Sequence, residues 1–236
     1  MSPAISFILD FIFPRRCLAC RLFSKEPLCP PCRKKFPVLP ASRCPQCARP
    51  YFDTSSNGTI HLCGDCLVSK PPYRQVYALG LYQGLLSDLI GRMKYRKEER
   101  LADFLGESLA EALGKETIQA DLIVPVPLHP ARLRERGFNQ ASRIAETLGK
   151  LLGIGLEKYD LVRHRETPHQ TTLPREERLK NLKDAFKIMR PEKFDGKKLL
   201  LVDDVYTTGA TSTASTAALL KAGAKEVAVA VVARAV

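Results

Sequence analysis

The chain has 236 residues, 45% of them hydrophobic and 26% charged, which excludes a disordered polymer and suits one α/β domain with a small appendage. Lysine and arginine number 37 against 25 acidic residues, a formal net charge of +12 that fits nucleic-acid or polyphosphate partners without singling out either. No apolar run reaches the roughly 18 residues of a membrane span, and the N-terminal apolar stretch is broken by Asp10, so the expectation is a cytoplasmic protein with no membrane insertion.

Ile5, Ile8, Leu9 and Ile12 recur at helical spacing and Pro14 stops the run, which predicts a short helix packed on the main domain. Eight cysteines follow, in four Cys-x-x-Cys pairs: Cys17/Cys20, Cys29/Cys32, Cys44/Cys47 and Cys63/Cys66. Two thiolates separated by two residues can reach one metal ion, so four such pairs read as two four-thiolate zinc sites. A secreted disulfide scaffold is the rival; it is opposed by the lack of an export signal and by the lack of cysteine after Cys66. Sequential pairing puts Cys17, Cys20, Cys29 and Cys32 on one ion and Cys44, Cys47, Cys63 and Cys66 on the other. Spacing is equally compatible with an interleaved arrangement. With every position filled by thiolate, neither site keeps a place for water, so both are structural. His61 adds nothing to a complete ligand count.

Arg15, Arg16, Arg21, Arg33, Lys34, Lys35, Arg43 and Arg49 surround these pairs, with Phe36, Tyr51 and Phe52 among them. That composition suits single-stranded DNA, through phosphate contacts and base stacking, and equally suits a solvated face around a metal knot. Pro71-Pro72 marks a linker, which divides the chain into a ribbon unit, 1–72, and an α/β unit, 73–236.

Beyond the linker, strands and helices alternate, as in a mostly parallel sheet. Strands are predicted at Val76–Tyr82, Leu122–Val126, Asp160–Arg163, Lys198–Val202 and Glu226–Val232. Helical spacing covers Leu85 to Met93, Leu101 to Leu113, Asn139 to Leu152 and Ala210 to Ala222. Lys94-Tyr95-Arg96-Lys97 is either a phosphate-facing patch or a solvated turn. Arg132, Arg134, Arg136 and Arg143 form a second basic cluster, and Asn139 stands near a helix N-cap. Phe138 either stacks on a base or staples the helix to the core.

The chemistry concentrates after Lys198. A buried strand delivers Asp203 and Asp204 to the sheet edge where open α/β folds bind ligands. Thr207, Thr208, Gly209, Ala210 and Thr211 then enter a helix, and their backbone N–H groups and hydroxyls can cradle a monophosphate. Carboxylates beside a phosphate repel it unless they hold something else, such as ribose hydroxyls or magnesium. The Gly-x-x-x-x-Gly-Lys-Ser/Thr and Gly-x-Gly-x-x-Gly signatures are both absent, which argues against nucleoside triphosphatase and dinucleotide-binding readings.

Residues 200–211 resemble the phosphoribosyl pyrophosphate loop of type I phosphoribosyltransferases. With the four cysteine pairs, Pro125-Val126-Pro127-Leu128, Arg136-Gly137-Phe138-Asn139-Gln140 and the later Gln170, Arg178, Asn181 and Ala185-Phe186, the whole chain resembles the ComF family, double zinc ribbon proteins associated with natural competence in bacteria. The resemblance implies a type I phosphoribosyltransferase sheet binding phosphoribosyl pyrophosphate or a ribose 5-phosphate group with magnesium. It places Asp203 and Asp204 on the ribose hydroxyls, Thr207 to Thr211 on the 5-phosphate, and Val126, Pro127 and Leu128 in the pyrophosphate loop. It also implies a mobile hood from Arg163 to Asp184, whose Arg163, Arg165, Arg175 and Arg178 suit pyrophosphate and whose Gln170 touches ligand, flanked by Arg136, Asn139 and Gln140. Arg178 is grouped with the two aspartates as catalytic. The readings left open are phosphoribosyl transfer, a non-catalytic nucleic-acid-binding protein of DNA uptake, and an adaptor whose ribbons recruit a competence helicase or recombination protein.

Overall fold

The computed structural model describes residues 15–51, 61–114, 118–165 and 184–236. The helix expected at Ile5–Ile12 and most of the expected hood, including Gln170, Arg175 and Arg178, lie outside the described residues.

Five strands form one parallel sheet: β1 (Val76–Leu81), β2 (Leu122–Pro125), β3 (Gly155–Leu156), β6 (Lys198–Tyr206) and β7 (Glu226–Arg234). Their order is β1-β7-β6-β2-β3. The middle strands are apolar on both faces because both faces are covered. Leu199 and Leu201 of β6, with Val227, Val229 and Val231 of β7, share one core with Tyr73, Phe194 and Leu219. Leu200 and Val202, with Ala230 and Val232, share the other with Leu86, Leu105 and Leu148. Successive strand residues point to opposite faces, so one unbroken apolar run supplies both cores.

The second face is built by α3 (Gly84–Tyr95), α4 (Glu99–Leu113) and α6 (Gln140–Leu152). Helix α3 buries Leu86, Leu89, Ile90 and Met93, one stripe at helical spacing. Helix α6 starts at Asn139, whose side-chain oxygen accepts from the N–H groups of Ala141 (3.0 Å) and Ser142 (3.4 Å). The first face carries α7 (Ala210–Lys221). A short α5 (Pro130–Arg136) and an antiparallel pair, β4 (Leu161–Arg163) with β5 (Phe186–Ile188), complete the α/β unit. The strand expected at Asp160–Arg163 therefore belongs to this ribbon and not to the main sheet. Buried Asp160 anchors it, 2.7 Å from Arg190 and 2.8 Å from Lys193.

The strand expected to end at Val202 runs on to Tyr206, paired with β7 as far as Arg234. The acidic pair thus sits within the strand, because β7 offers hydrogen-bond partners past the last apolar residue.

The two cysteine clusters lie on opposite sides of this sheet. Cys17 and Cys32 pack with Leu18, Phe36, Leu85 and Phe104 on the side of α3 and α4. Cys44, Cys47, Cys63 and Cys66 belong to the core that includes Tyr73 and Tyr206. The chain between them crosses the outer edge of β1, where Val38 forms an antiparallel bridge with Gly80. A Cβ at Gly80 would stand 2.1 Å from the Pro37 carbonyl oxygen, so glycine is what permits the crossing.

Candidate ligand pocket and cysteine clusters

Each cysteine cluster is assembled from the same two parts. The first pair occupies a tight knuckle followed by a residue with positive φ, Arg21 (68°) or Ala48 (56°). The second pair straddles the start of a helical turn, α1 (Pro30–Lys34) after Cys29 or α2 (Gly64–Val68) after Cys63. The four sulfurs of each cluster lie within 4.8 Å of one another, in the sequential grouping. Burial opposes charge on Cys17, yet the backbone N–H groups of Cys29, Cys20 and Ala19 bring its thiol down to about 6. Against the same opposition, those of Cys47, Cys63 and Gln46 bring Cys44 down to about 7. Cys29, Cys32, Cys47 and Cys66 are instead pushed up, as crowded thiols are until a cation neutralises them, so it is the convergence of four sulfurs in each cluster that fits structural zinc. His61 lies outside the cluster, exposed, with its ring stacked on Tyr51 at 4.3 Å.

The ligand pocket follows from the strand order. The chain leaves β2 toward β3 on one side and leaves β6 toward β7 on the other, so a crevice opens at the carboxyl ends of β2 and β6. A cavity of about 250 Å³ occupies it, with Asp203 and Asp204 from β6 on one wall and Val126, Pro127 and Leu128, which follow β2, on another. Thr207, Gly209, Ala210 and Thr211 close one end at the start of α7. Lys94, Tyr95, Arg132, Arg136 and Arg163 supply further polar lining, with Tyr82, Tyr206 and Ser212.

The carboxylate pair is electrostatically constrained. Desolvation, and then the neighbouring Asp204 carboxylate, push Asp203 up to about 7. The Asp203 side chain accepts from the Asp204 backbone N–H at 2.9 Å. Asp204 is met by the Lys94 ammonium at 2.7 Å, with both side chains largely buried. Burial, and then Arg132, lower the Arg163 guanidinium, which also lies 5.8 Å from the Phe186 ring. Two carboxylates, one ammonium and three guanidinium groups thus line one cavity.

Most of the expected site residues converge there, and the exceptions have local reasons. Thr208 is absent from this lining: its Oγ1 accepts from the Ala210 N–H at 3.4 Å, and the residue lines a neighbouring cavity. Asn139 caps α6 and donates to the Val126 carbonyl at 3.1 Å, bracing the segment after β2 from behind. Gln140 is buried and accepts from Arg136 at 3.2 Å. Phe138 packs against the helical core, the staple of the two alternatives. Arg165 is described but does not line the pocket. Lys94 and Tyr95 join the site from the basic run 94–97, and only the tertiary fold shows that Lys94 meets Asp204 while Arg96 and Lys97 stay exposed.

A parallel sheet with an acidic pair and a threonine-rich turn at its crevice, joined to paired four-cysteine sites, defines a phosphoribosyltransferase-type domain carrying a double zinc ribbon. The chain matches the double zinc ribbon domain over residues 8–67 and the phosphoribosyl transferase domain over residues 133–235. It is 32% identical to the DNA utilization protein YhgH of Salmonella typhimurium over 226 residues, 91% of this chain and 94% of that one. It is also 32% identical to competence protein F of Haemophilus influenzae, over 91% of this chain and 95% of that one. Competence protein ComFC of Bacillus subtilis is 28% identical over 84% of this chain and 80% of its own length. The chain belongs to the ComF family. Among the described residues, no helix is long and apolar enough to cross a membrane.

Proposed function

We propose that the pocket binds the ribose 5-phosphate portion of phosphoribosyl pyrophosphate, in a protein that serves DNA uptake. The observation that carries this reading is the placement of Asp203, Asp204 and the Thr207–Thr211 turn around one cavity at the crevice of the sheet. Hydroxyls of a ribose can donate to the two carboxylates while its phosphate takes N–H groups at the start of α7. Arg132, Arg136 and Arg163 face the side on which the pyrophosphate would lie, beside Val126, Pro127 and Leu128. Charge that develops on departing pyrophosphate is what preorganised cations stabilise best. Magnesium prefers oxygen ligands, and among the described residues the two aspartates are the only carboxylates lining the cavity, so they would hold it. Bound there with the ligand, the ion would neutralise pyrophosphate charge. Arg165, with Gln170, Arg175 and Arg178 from outside the described residues, would complete the reading as pyrophosphate and ligand contacts. The ribbon unit, 1–72, and the α/β unit, 73–236, are the corresponding domains.

The names of the relatives support the uptake role, and a basic rim supports contact with single-stranded DNA. Arg136 lies 5.9 Å from the ring of Tyr95, which is 76% exposed at the cavity mouth. A stacking ring beside cations suits an unpaired base and its phosphate. In the same setting, the ribbons would recruit a helicase or recombination protein.

Calorimetry of the zinc-loaded chain with ribose 5-phosphate and with phosphoribosyl pyrophosphate, each with and without magnesium, tests the reading. Binding should occur and should weaken at least tenfold in Asp203→Asn and Asp204→Asn, the loss of about one charge-assisted hydrogen bond each. No binding of either ligand at millimolar concentration would remove the assignment.

A further inference from the structure

The phosphate loop has a second side. Behind it lies a cavity of about 330 Å³, lined by Cys47 and Cys66 of the second cysteine cluster and by Tyr206, Thr207 and Thr208. The loop is thus a partition between the ligand pocket and the cluster.

Arg234, at the end of β7 and only 6% exposed, joins the two. Its Nε donates to the Cys47 carbonyl at 3.0 Å and its Nη1 donates to the Thr207 carbonyl at 3.1 Å. The guanidinium also lies 4.7 Å from the centroid of the Tyr206 ring. A parallel path runs alongside. The Tyr206 hydroxyl is 2.5 Å from that of Tyr73, and the Tyr73 carbonyl accepts from Gln46 Nε2 at 2.5 Å. Gln46 and Cys47 are the last two residues of the Cys44–Cys47 knuckle, so that knuckle is tied at two points to the residues beneath the loop. The Tyr206 ring in turn sits under Gly209, whose φ is +79° and where a Cβ would stand 2.1 Å from the Tyr206 hydroxyl.

We propose that Arg234 is a positioning residue through which the second cysteine cluster sets the shape of the phosphate loop, so that zinc in the cluster and a phosphorylated ribose in the pocket stabilise each other. This rests on the ribose 5-phosphate reading of the pocket. Zinc fixes the knuckle, the knuckle fixes Arg234 and Tyr206, and these fix the carbonyl of Thr207 and the floor under Gly209. Arginine suits the task because one planar group both directs donors to separate carbonyls and lies on an aromatic face, which a lysine ammonium cannot reproduce. Among the described contacts the first cluster makes none to the phosphate loop. It is tied to α3, where Arg92 donates to the Leu18 carbonyl at 2.6 Å. Binding linkage is reciprocal, so the coupling must appear from either end.

The test challenges the zinc-loaded full chain with a chromogenic chelator, with and without saturating ribose 5-phosphate. Zinc should leave in two phases, and the ligand should slow one of them by roughly fivefold while leaving the other unchanged, a factor that corresponds to about one net hydrogen bond. A Cys63→Ser chain, which keeps the first cluster complete, identifies the phase that belongs to the second. Arg234→Lys should retain both ions yet bind ribose 5-phosphate roughly fivefold more weakly and lose the slowing. Tyr73→Phe, which removes a single hydroxyl, should lose part of it. If ribose 5-phosphate binds the wild type but alters neither phase nor the zinc affinity read from equilibrium competition with the same chelator, the coupling is refuted and the pocket assignment stands. Equal ligand affinity for the wild type and a zinc-replete Arg234→Lys chain refutes it as well. If the wild type binds no ribose 5-phosphate, the pocket assignment fails and the proposal fails with it. Should Arg234→Lys not fold, release from the wild type decides alone.

Discussion

Lys94 is the cation on which the acidic pair depends, and Lys94→Met removes its charge while keeping most of its stem. At 2.7 Å, with side-chain exposures of 16% and 12%, the Lys94–Asp204 pair has a gross attraction of about 6 kcal/mol at an effective dielectric of ~20. Desolvation of both ions offsets most of that, and a charge-assisted hydrogen bond retains ~1.5–3 kcal/mol net. Lys94 also lowers the Asp203 carboxyl, so its loss should drive that group further above about 7. A double-mutant cycle of Lys94→Met with Asp204→Asn, read by urea unfolding of the zinc-loaded chain, isolates the pair. The expected coupling is ~1.5–3 kcal/mol, and Lys94→Met alone should lower the melting temperature by about 3–10 °C. Ribose 5-phosphate binding should weaken in Lys94→Met and partly recover in Lys94→Arg, because two unneutralised carboxylates repel a phosphorylated ligand. A coupling below ~0.5 kcal/mol would refute the reasoning, since exposed pairs give that much without any special role.

Elemental analysis should find two zinc ions per chain, with all eight thiols titratable after denaturation in chelator; native disulfides would contradict this. Gly209→Ala should cost ~1–2 kcal/mol in backbone strain and displace Tyr206, so calorimetry should show a far larger loss of ribose 5-phosphate binding than for Thr208→Ala, which removes one hydroxyl outside the pocket lining. Asp160 gives a pH dependence. Burial works against its charge, but Arg190 and Lys193 hold its carboxyl down to about 2, against 3.8 unperturbed. Its stabilisation is therefore complete above about pH 4 and lost as pH falls toward 2. Asp160→Asn should flatten that part of an acid-unfolding curve, and an unchanged curve would show that the anchor contributes nothing.

The features legible from sequence are those that repeat or that concentrate chemistry locally. Four identical cysteine pairs name a ligand type at a spacing, and the structure adds only which pairs meet. Leu199 to Val202 and Val227 to Val232 are apolar without alternation, which announces a sheet covered on both faces. Asp203, Asp204 and the threonine turn adjoin in sequence, so the site is visible before the fold is. Lys94 and Arg234 were not legible because their partners lie far along the chain, at Asp204 and at Cys47. A lysine in a basic run looks the same whether it faces solvent or a carboxylate. The hydrogen bond that engages the Thr208 hydroxyl with the Ala210 N–H is equally hidden, since it depends on the turn and not on residue type. Strand β6 outran its apolar stretch because the backbone pairing of β7 set its length, beyond the reach of side-chain patterning.

The crossing of β1 by the chain between the two clusters bears on solubility. Strand β1 pairs with β7 on one side only, and its other side would otherwise present free N–H and C=O groups. Such an edge is a template on which a second molecule can add a strand. Here the segment around Pro37 and Val38 shields it, and that segment is suspended between two metal knots on opposite faces of the sheet. Loss of either ion would slacken the suspension and expose the edge at Gly80. Metal starvation or thiol oxidation would then turn a discrete molecule into one prone to edge-to-edge aggregation before its sheet itself comes apart.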